Sequence, residues 1–367
     1  WLTSQQAGAS DSVTVGGSFA NSGAMQSAGD LAVAAGSFDN SQAMAAAGKL
    51  DVRTAASLRN AGILQAGGAM TLDSGTSLAN TAGAQIAGAS VNASASKGLD
   101  NDGTVSADGN ATVRAGGSID NSGTIQAAGN LDIADRNAGA SANLTNSGKL
   151  LADGTMNVQA AALENENTGW VQAVQGSTVA ASSMNNQGVW LLSSAAGAPA
   201  SQVTVSGTLV NAGVLQAQQD ARLAAQRIEN QAGAHLRTGG TLQAQVGSGG
   251  MLNAGTLQAG NGTAGNGATL DISGAGAALV NPGVMLGDRL AVAVASLDNS
   301  GTIQGGASAS SSIEASGTVN NKADGVITMA STAAGGGTLT GKGIVNDRAI
   351  QAAGSLTQHR CKDGLPP

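Results

Sequence analysis

Residues 118–135, SIDNSGTIQAAGNLDIAD, contain the pattern on which the fold depends. The segments 118–120, 124–126 and 130–133 alternate apolar with polar residues, which predicts short β-strands with the apolar side turned inward. Asn121-Ser122-Gly123 and Ala127-Ala128-Gly129 stand between these segments and supply bends. Three short strands and three bends in so few residues describe one coil of a β-helix.

The same phrase, an apolar residue, any residue and an asparagine, usually followed by glycine, recurs along almost the whole chain. We call these asparagines the anchors, and successive anchors lie 18 to 28 residues apart. They are Asn21, Asn40, Asn60, Asn80, Asn101, Asn121, Asn146, Asn165, Asn186, Asn211, Asn230, Asn253, Asn281, Asn299, Asn321 and Asn346. Such a period predicts an all-β stacked fold, a parallel β-helix (β-solenoid) of about 16 coils of roughly 20 residues.

The composition suits a narrow interior. The 367 residues include 56 glycines, no tyrosine, and only five Phe and Trp residues together, while 41% are hydrophobic. A net charge of −7 with ordinary apolar content argues against a disordered chain. Mild acidity also argues against nucleic acid or an anionic membrane as a partner. The basic residues Arg222, Arg227, His235 and Arg237 stand among acidic ones, and we interpret them as a solvated face.

The single cysteine, Cys361, excludes an internal disulfide framework. No signal peptide or membrane-spanning segment is visible, and the chain begins Trp1-Leu2-Thr3 without an initiator methionine. We therefore expect a piece of a longer protein.

The anchors suggest two local hypotheses. Ten of them have glycine two residues on, and Asn80 and Asn230 have it three on, which we attribute to a positive φ at a tight corner. If each coil places its asparagine at the same corner, the side-chain amides should form a hydrogen-bonded ladder. Phe19 and Phe38 share one slot in adjacent coils and should stack, whereas the mixed residues just before the anchors should face solvent.

Departures from the regular coil are expected in a few places. The stretch 217–228, AQQDARLAAQRI, is rich in helix formers, but its repeat context favours strand. Longer gaps before Asn146, Asn211, Asn281 and Asn346 predict loops outside the stack, as at Ala259–Asn266.

The sequence contains no catalytic, cofactor-binding or metal-binding constellation, so we expect no enzyme and no cofactor. His235 and His359 are far apart, and neither a nucleophile–histidine arrangement nor metal-ligand spacing is present. Carboxylate pairs at Asp100, Asp102 and Asp120, and at Glu164 and Glu166, fall in slots that elsewhere hold uncharged or basic residues. We interpret them as surface positions rather than general acids and bases.

Exposed aromatic rings could bind sugars by stacking. The candidates are Trp1, Trp170 and Trp190, and the last two fall in neighbouring coils. We expect one of these two rings to pack inside and the other to cover an edge, with a local aromatic patch as the alternative.

The segments 297–304 (LDNSGTIQ), 119–133 (IDNSGTIQAAGNLDI) and 58–68 (LRNAGILQAGG) resemble filamentous haemagglutinin repeats, the shafts of large exoproteins of Gram-negative two-partner secretion systems. The resemblance implies a right-handed parallel β-helix, export through an outer-membrane transporter, and secretion or display at the cell surface. It covers a repeat shaft at 18–357, between an N-terminal edge or partial coil at 1–17 and a non-repeat tail at 358–367.

Within that resemblance, the function expected is a structural shaft segment of an adhesin that projects a distal binding or effector region toward a host cell, a neighbouring cell or biofilm matrix. The alternatives are the shaft of a contact-dependent growth inhibition protein and a β-helical polysaccharide-degrading enzyme. The segment Thr332-Ala333-Ala334-Gly335 is similar to the cleavage motif of released surface adhesins, and Cys361 could belong to an anchoring element.

Overall fold

In the computed structural model, the chain is an all-β parallel β-solenoid of about 16 turns with about 21 residues per turn. The structure describes residues 2–4, 8, 10–137, 142–260, 267–306, 310–333 and 335–360. The chain divides into two compact units, Trp1–Ala181 and Ser182–Pro367. The predicted fold class is confirmed.

One turn of the first unit shows the building plan. It contains an anchor strand ending at the asparagine (Ser118–Asn121), a second strand (Thr124–Ala127) and a third strand (Leu131–Asp135), as the sequence predicts. Inward residues such as Ile119, Ile125 and Ile133 are buried, because every alternate side chain of a strand points to the interior. The turn therefore packs a small apolar interior against the turns on either side.

The strands of the first unit run parallel, each paired with its equivalent in the next turn, as when Leu99 and Asn101 lie opposite Ile119 and Asn121. They are β1 (Leu2–Ser4), β2 (Ser10–Asn21), β3 (Met25–Ser27), β4 (Asp30–Asn40), β5 (Ala43–Ala46), β6 (Leu50–Thr54), β7 (Leu58–Asn60), β8 (Ile63–Ala66), β9 (Ala69–Ser74), β10 (Leu78–Asn80), β11 (Gln85–Gly88), β12 (Ser90–Ala95), β13 (Gly98–Asn101), β14 (Thr104–Ala107), β15 (Ala111–Ala115), β16 (Ser118–Asn121), β17 (Thr124–Ala127), β18 (Leu131–Asp135), β19 (Asn143–Asn146), β20 (Lys149–Ala152), β21 (Met156–Asn165), β22 (Trp170–Ala173) and β23 (Ser177–Asn186), which contains the boundary.

In the second unit the third strand commonly continues into the next anchor strand without a break. Its strands are β24 (Val189–Ser193), β25 (Ser201–Asn211), β26 (Val214–Ala217), β27 (Ala221–Asn230), β28 (His235–Thr238), β29 (Leu242–Asn253), β30 (Thr256–Ala259), β31 (Thr269–Asn281), β32 (Val284–Gly287), β33 (Arg289–Asn299), β34 (Thr302–Gly305), β35 (Ser311–Ala315), β36 (Thr318–Asn321), β37 (Val326–Thr328), β38 (Gly337–Gly341), β39 (Gly343–Asn346), β40 (Ala349–Gln351) and β41 (Leu356–Arg360). The helix-prone stretch 217–228 lies mostly in β27, so the repeat context overrides local propensity.

The anchors form the predicted ladder in each unit. Each side-chain Nδ2 donates to Oδ1 of the next asparagine at 2.7 to 2.9 Å, from Asn21 to Asn165 in the first unit and from Asn186 to Asn346 in the second. The same nitrogen of Asn121 also approaches the carbonyl oxygens of Gly123 and Lys149 at 3.3 and 3.2 Å. Because the buried amides are satisfied from turn to turn, the ladder fixes the register of the stack.

The explanation by positive φ is wrong for most corner glycines. No positive φ occurs at Gly62, Gly103, Gly123 or Gly148; a Cβ added at Gly123 would instead overlap the carbonyl oxygen of Gly103 in the preceding turn. At Gly123 the backbones of the two turns approach too closely for a side chain. Positive φ is confirmed only where glycine stands three residues after the anchor, at Gly83 (80°) and Gly233 (81°).

Other expectations have mixed outcomes. The rings of Phe19 and Phe38 stack with centroids 5.6 Å apart. Residues 194–200, before Asn211, lie between strands, as expected of a loop. The loop expected at Ala259–Asn266 lies largely outside the described residues, as do most of the extra residues before Asn146.

Candidate functional site

The outward side of the third strands carries the most distinctive chemistry of the first unit. Strand pairing aligns Arg53, Asp73, Ser94 and Arg114 in one row along β6, β9, β12 and β15. A parallel row contains Asp51, Thr71, Asn92, Thr112 and Asp132. Residues that are about twenty positions apart in the sequence thus become direct neighbours.

Three ion pairs organise these rows. Arg53 Nη1 lies 2.9 Å from Asp51 Oδ2, and Arg114 Nη2 lies 2.7 Å from Asp132 Oδ2. Arg136, just after β18, reaches back along the stack to Asp73 Oδ1 at 2.9 Å. Such partly exposed pairs contribute little to stability individually, so their main consequence is to fix where the guanidinium groups stand.

Arg136 is held by a second contact, because its Nη1 also donates to the carbonyl oxygen of Ser74 at 2.9 Å. Small residues, Ser96 and Gly116, occupy the positions that it passes in the intervening turns. The side chain therefore forms one wall at the end of the two outward rows.

Between these arginines lies a groove of about 550 Å³. The charged residues that line it are Arg53, Arg114, Arg136 and Asp73, and two of these arginines pair with Asp51 and Asp132 beside the groove. Hydroxyl and amide side chains form the rest of the polar floor, at Thr71, Asn92, Ser94 and Thr112. We name this feature the arginine groove.

The arginine groove was missed by sequence reasoning. Its three arginines are far apart in the sequence, and the basic concentration that stands out is elsewhere. Counting back seven residues from each following anchor would have placed 53, 73, 94 and 114 in the same slot. Arg136 could not have been added in this way, because the anchors on either side of it, Asn121 and Asn146, are 25 residues apart.

The basic concentration singled out in the sequence is a solvated face, as expected. Arg222, Arg227 and Arg237 are exposed. Arg227 pairs with Glu229, and Arg237 Nη2 lies 3.0 Å from His235 Nδ1.

The carboxylates at Asp100, Asp102 and Asp120 come together on the surface, since Asp100 lies opposite Asp120 and all three are exposed. Partial burial, followed by the charges of Asp120 and Asp102, raises the pKa of Asp100. Asp102 accepts a hydrogen bond from Ser122 Oγ at 2.6 Å. In the described part of the chain, no group of three or more His, Cys, Asp or Glu side chains is arranged to hold a metal ion.

Of Trp170 and Trp190, one packs inside, as expected, and the other lies on an outward face. Trp190 is completely buried, in a row where adjacent β26 and β28 place Leu215 and Leu236. Trp170 is 39% exposed on the outer face, and its Nε1 donates to Gln172 Oε1 at 3.3 Å.

Trp1 and Cys361 lie outside the described residues, and so does Ala334 of the 332–335 motif. Among the described residues, no helix has the length and apolar character needed to cross a bilayer.

Together these features define a class of protein: a repeat solenoid whose inward rows are apolar in every turn and whose outward rows vary from turn to turn. The sequence pattern of the Haemagglutinin repeat family matches residues 6–44, 45–98, 86–140, 134–198, 194–248, 237–304 and 286–358. These matches span most of the chain, and the chain belongs to this family. It has no match among curated proteins or among solved structures.

Proposed function

We propose that this chain is a structural segment of the shaft of a large secreted or surface-displayed bacterial adhesin, and that it holds a distal binding or effector region away from the cell. Haemagglutinin-repeat solenoids are typical of the shafts of two-partner secretion exoproteins. The observation that carries the proposal is the asparagine ladder, which continues through every described anchor of each unit. A ladder of this kind lets the solenoid grow turn by turn, and it does not depend on a binding or catalytic site.

The partners follow from this proposal. An outer-membrane transporter of the two-partner type would export the chain, and the distal region would meet a host cell, a neighbouring cell or biofilm matrix. Secretion by this route fits a family whose repeats suggest a secreted bacterial exoprotein.

We further propose that the segment has no catalytic role, since repeats of this family are generally structural and non-catalytic. The acidic residues at 100, 102 and 120 lie on an open face, whereas general acid–base catalysis calls for carboxylates enclosed in a groove. Shortening of acidic polysaccharides incubated with the purified chain would contradict this part of the proposal.

The shaft proposal can be tested by in-frame deletions in the full-length protein in its own bacterium. Deleting residues 282–299, one whole turn between Asn281 and Asn299, keeps the ladder in register. We expect normal export, surface display and cell attachment, because a solenoid tolerates loss of a complete unit.

The matched control deletes only residues 282–290. This deletion removes the second strand β32 and shifts the remainder of β33 out of register with the neighbouring turns. This variant should be exported poorly or degraded. Equal behaviour of the two deletions, or loss of attachment by a well-displayed whole-turn variant, would contradict a purely structural role.

A further inference from the structure

Asp288 is a carboxylate that the second unit buries. It stands between β32 and β33, directly after a second strand, and only 6% of the residue is exposed. Asp108 and Asp153 also stand directly after second strands, β14 and β20, and both are exposed. Because a charged side chain is rarely buried without a partner that compensates its charge, Asp288 requires a partner that the two exposed aspartates do not need.

The protein itself does not supply a cation for Asp288. None of the ion pairs between described residues includes it, and Arg289, the next residue in the chain, is exposed. The stretches 261–266 and 307–309, which lie outside the described residues in the turns before and after, contain no Lys, Arg or His in the sequence. The negative charge of Asp288 is therefore left for a cation from solution.

One oxygen of this carboxylate has no hydrogen-bond donor among the described residues. Oδ2 accepts a hydrogen bond from the backbone N–H of Gly267 at 3.0 Å, whereas no such bond reaches Oδ1. Oδ1 lies beside Gly306 of the next turn, where an added Cβ would stand 2.9 Å from it and 2.8 Å from the Asp288 Cα. Glycine at position 306 thus keeps the space beside this oxygen open.

A pocket of about 130 Å³ opens beside the carboxylate. Its polar side chains are Asp288, Gln304 and Ser331, which come from three successive turns. The other residues that line it are Ala259, Leu286 and three glycines. Sites for organic ligands usually measure roughly 300–1,000 Å³, so this pocket suits an ion with a few water molecules.

We propose that this pocket binds a metal cation of the Ca²⁺ class. The Asp288 carboxylate would supply the charge, the Gln304 amide and the Ser331 hydroxyl would add neutral oxygen ligands, and water would complete the coordination shell. Ca²⁺ prefers oxygen ligands in flexible geometry, whereas zinc and copper prefer the nitrogen and sulfur ligands that these side chains do not offer.

The ion would join three turns at a short part of the stack. The turn from Asn281 to Asn299 spans 18 residues, the smallest anchor spacing in the chain, and it contains Asp288. Because two of the three side-chain ligands are neutral, we expect weak binding, with a Kd of roughly 10⁻⁴ to 10⁻³ M as in extracellular calcium modules. Calcium would then stabilise the second unit without being required for its fold.

The test measures binding of Ca²⁺ to the purified full chain by titration calorimetry, with Mg²⁺ and Na⁺ at matched ionic strength as comparisons. We expect about one strong Ca²⁺ site per chain and weaker binding of Mg²⁺, which gives up its water reluctantly. Asp288→Asn keeps the size of the side chain but removes its charge, and it should lose at least about tenfold in affinity.

Matched controls remove one negative charge from the same slot in other turns. Asp108→Asn and Asp153→Asn should each change the affinity by less than about twofold, because these side chains are exposed. The double variant D100N/D120N, on the acidic slot of the first unit, should also change it by less than about twofold.

Ser331→Ala keeps the test independent of any effect of Asp288 on folding. Ser331 is exposed, so loss of its hydroxyl should weaken Ca²⁺ binding by about two- to fivefold while the melting curve without calcium stays unchanged. Added Ca²⁺ should raise the melting temperature of the wild-type chain and leave that of Asp288→Asn unchanged.

Several results would overturn the proposal: no Ca²⁺ binding up to about 10 mM, an equal loss in Asp108→Asn, or unchanged binding in Asp288→Asn. Loss of binding in D100N/D120N alone would place the ion on the first unit instead. Equal affinity for Mg²⁺ or Na⁺ would overturn the assignment to the Ca²⁺ class. The whole-turn deletion of 282–299 removes Asp288 and should abolish this binding while export stays normal, so the shaft proposal is tested separately.

Discussion

The outward rows of the third strands differ sharply between the two units, although the inward rows do not. In the first unit the outward positions of β6, β9 and β15 carry Arg53, Asp73 and Arg114. In the second unit, the corresponding row through β25, β27, β29 and β31 carries Thr204, Ala224, Gln245 and Ser273. The inward rows of both are buried Leu, Val, Ile, Met and Ala. The interior therefore determines stability in both units, while the outward rows are free to vary in charge and polarity.

The largest loss of stability is expected for a substitution in the interior of the second unit. Trp190→Ala should lower the free energy of unfolding by about 3–5 kcal/mol, because it leaves a large cavity between stacked turns. Trp170→Ala, on an outward position, should cost about 0.5 kcal/mol. Denaturant unfolding followed by circular dichroism measures both, and equal costs would remove the distinction between inner and outer rows.

The ladder should matter equally in both units. Asn121→Ala leaves Asn101 Nδ2 and Asn146 Oδ1 without their partner, and Asn253→Ala does the same to Asn230 and Asn281. Each variant should lose roughly 1–3 kcal/mol of stability, since Oδ1 of the following asparagine is left buried without its donor, while Nδ2 of the preceding asparagine keeps only its contacts to backbone carbonyls. Asp120→Asn, on the outward neighbour of Asn121, is the control. An unchanged melting curve for either ladder variant would count against the ladder in that unit.

The corner glycines give a smaller and more local test. Gly123→Ala should lower the free energy of unfolding by about 1–3 kcal/mol, because the new Cβ would overlap the backbone of the preceding turn at Gly103. A Cβ at Gly23 meets nothing within 4 Å, and φ there is not positive. Gly23→Ala should therefore be neutral or stabilise by up to about 1 kcal/mol. Thermal melts that rank the two variants in the opposite order would refute close stacking as the reason for glycine.

The smallest effect is expected on the acidic outward slot of the first unit. The raised pKa of Asp100 means that the folded state holds this proton more tightly than the unfolded chain does. Stability from this group is present at low pH and is lost as pH rises through the raised value. Asp100→Asn should flatten that decline slightly and raise the melting temperature at neutral pH, and Asp120→Asn should act in the same direction. A steeper decline in either variant would contradict the assignment.

Much of the fold could be predicted because the repeat specifies it many times over. The anchors, the stacked Phe19 and Phe38, and the strand at 217–228 all follow from a period that outweighs any local propensity. The role of Gly123 was predicted wrongly, because the approach of two backbones from different turns cannot be seen in one turn's sequence.

The candidate site was harder to predict than the fold. Outward positions show no pattern of their own, since Arg53, Asp73 and Ser94 share a row without sharing any chemistry. Only strand pairing reveals that Arg53 and Arg114 border one groove, and only the path of Arg136 back to Ser74 closes it.

The central claim, that turns of equivalent residues stack in register, is tested most directly by disulfide crosslinking in a background with Cys361→Ser. Asp100, Asp120 and Thr145 occupy one slot in three successive turns. Cysteines at 100 and 120 should oxidise readily, because paired strands lie about 4.8 Å apart. Cysteines at 100 and 145, about twice that distance apart, should not form an intramolecular bond. Efficient crosslinking of 100 to 145, or none between 100 and 120, would contradict the stacked register.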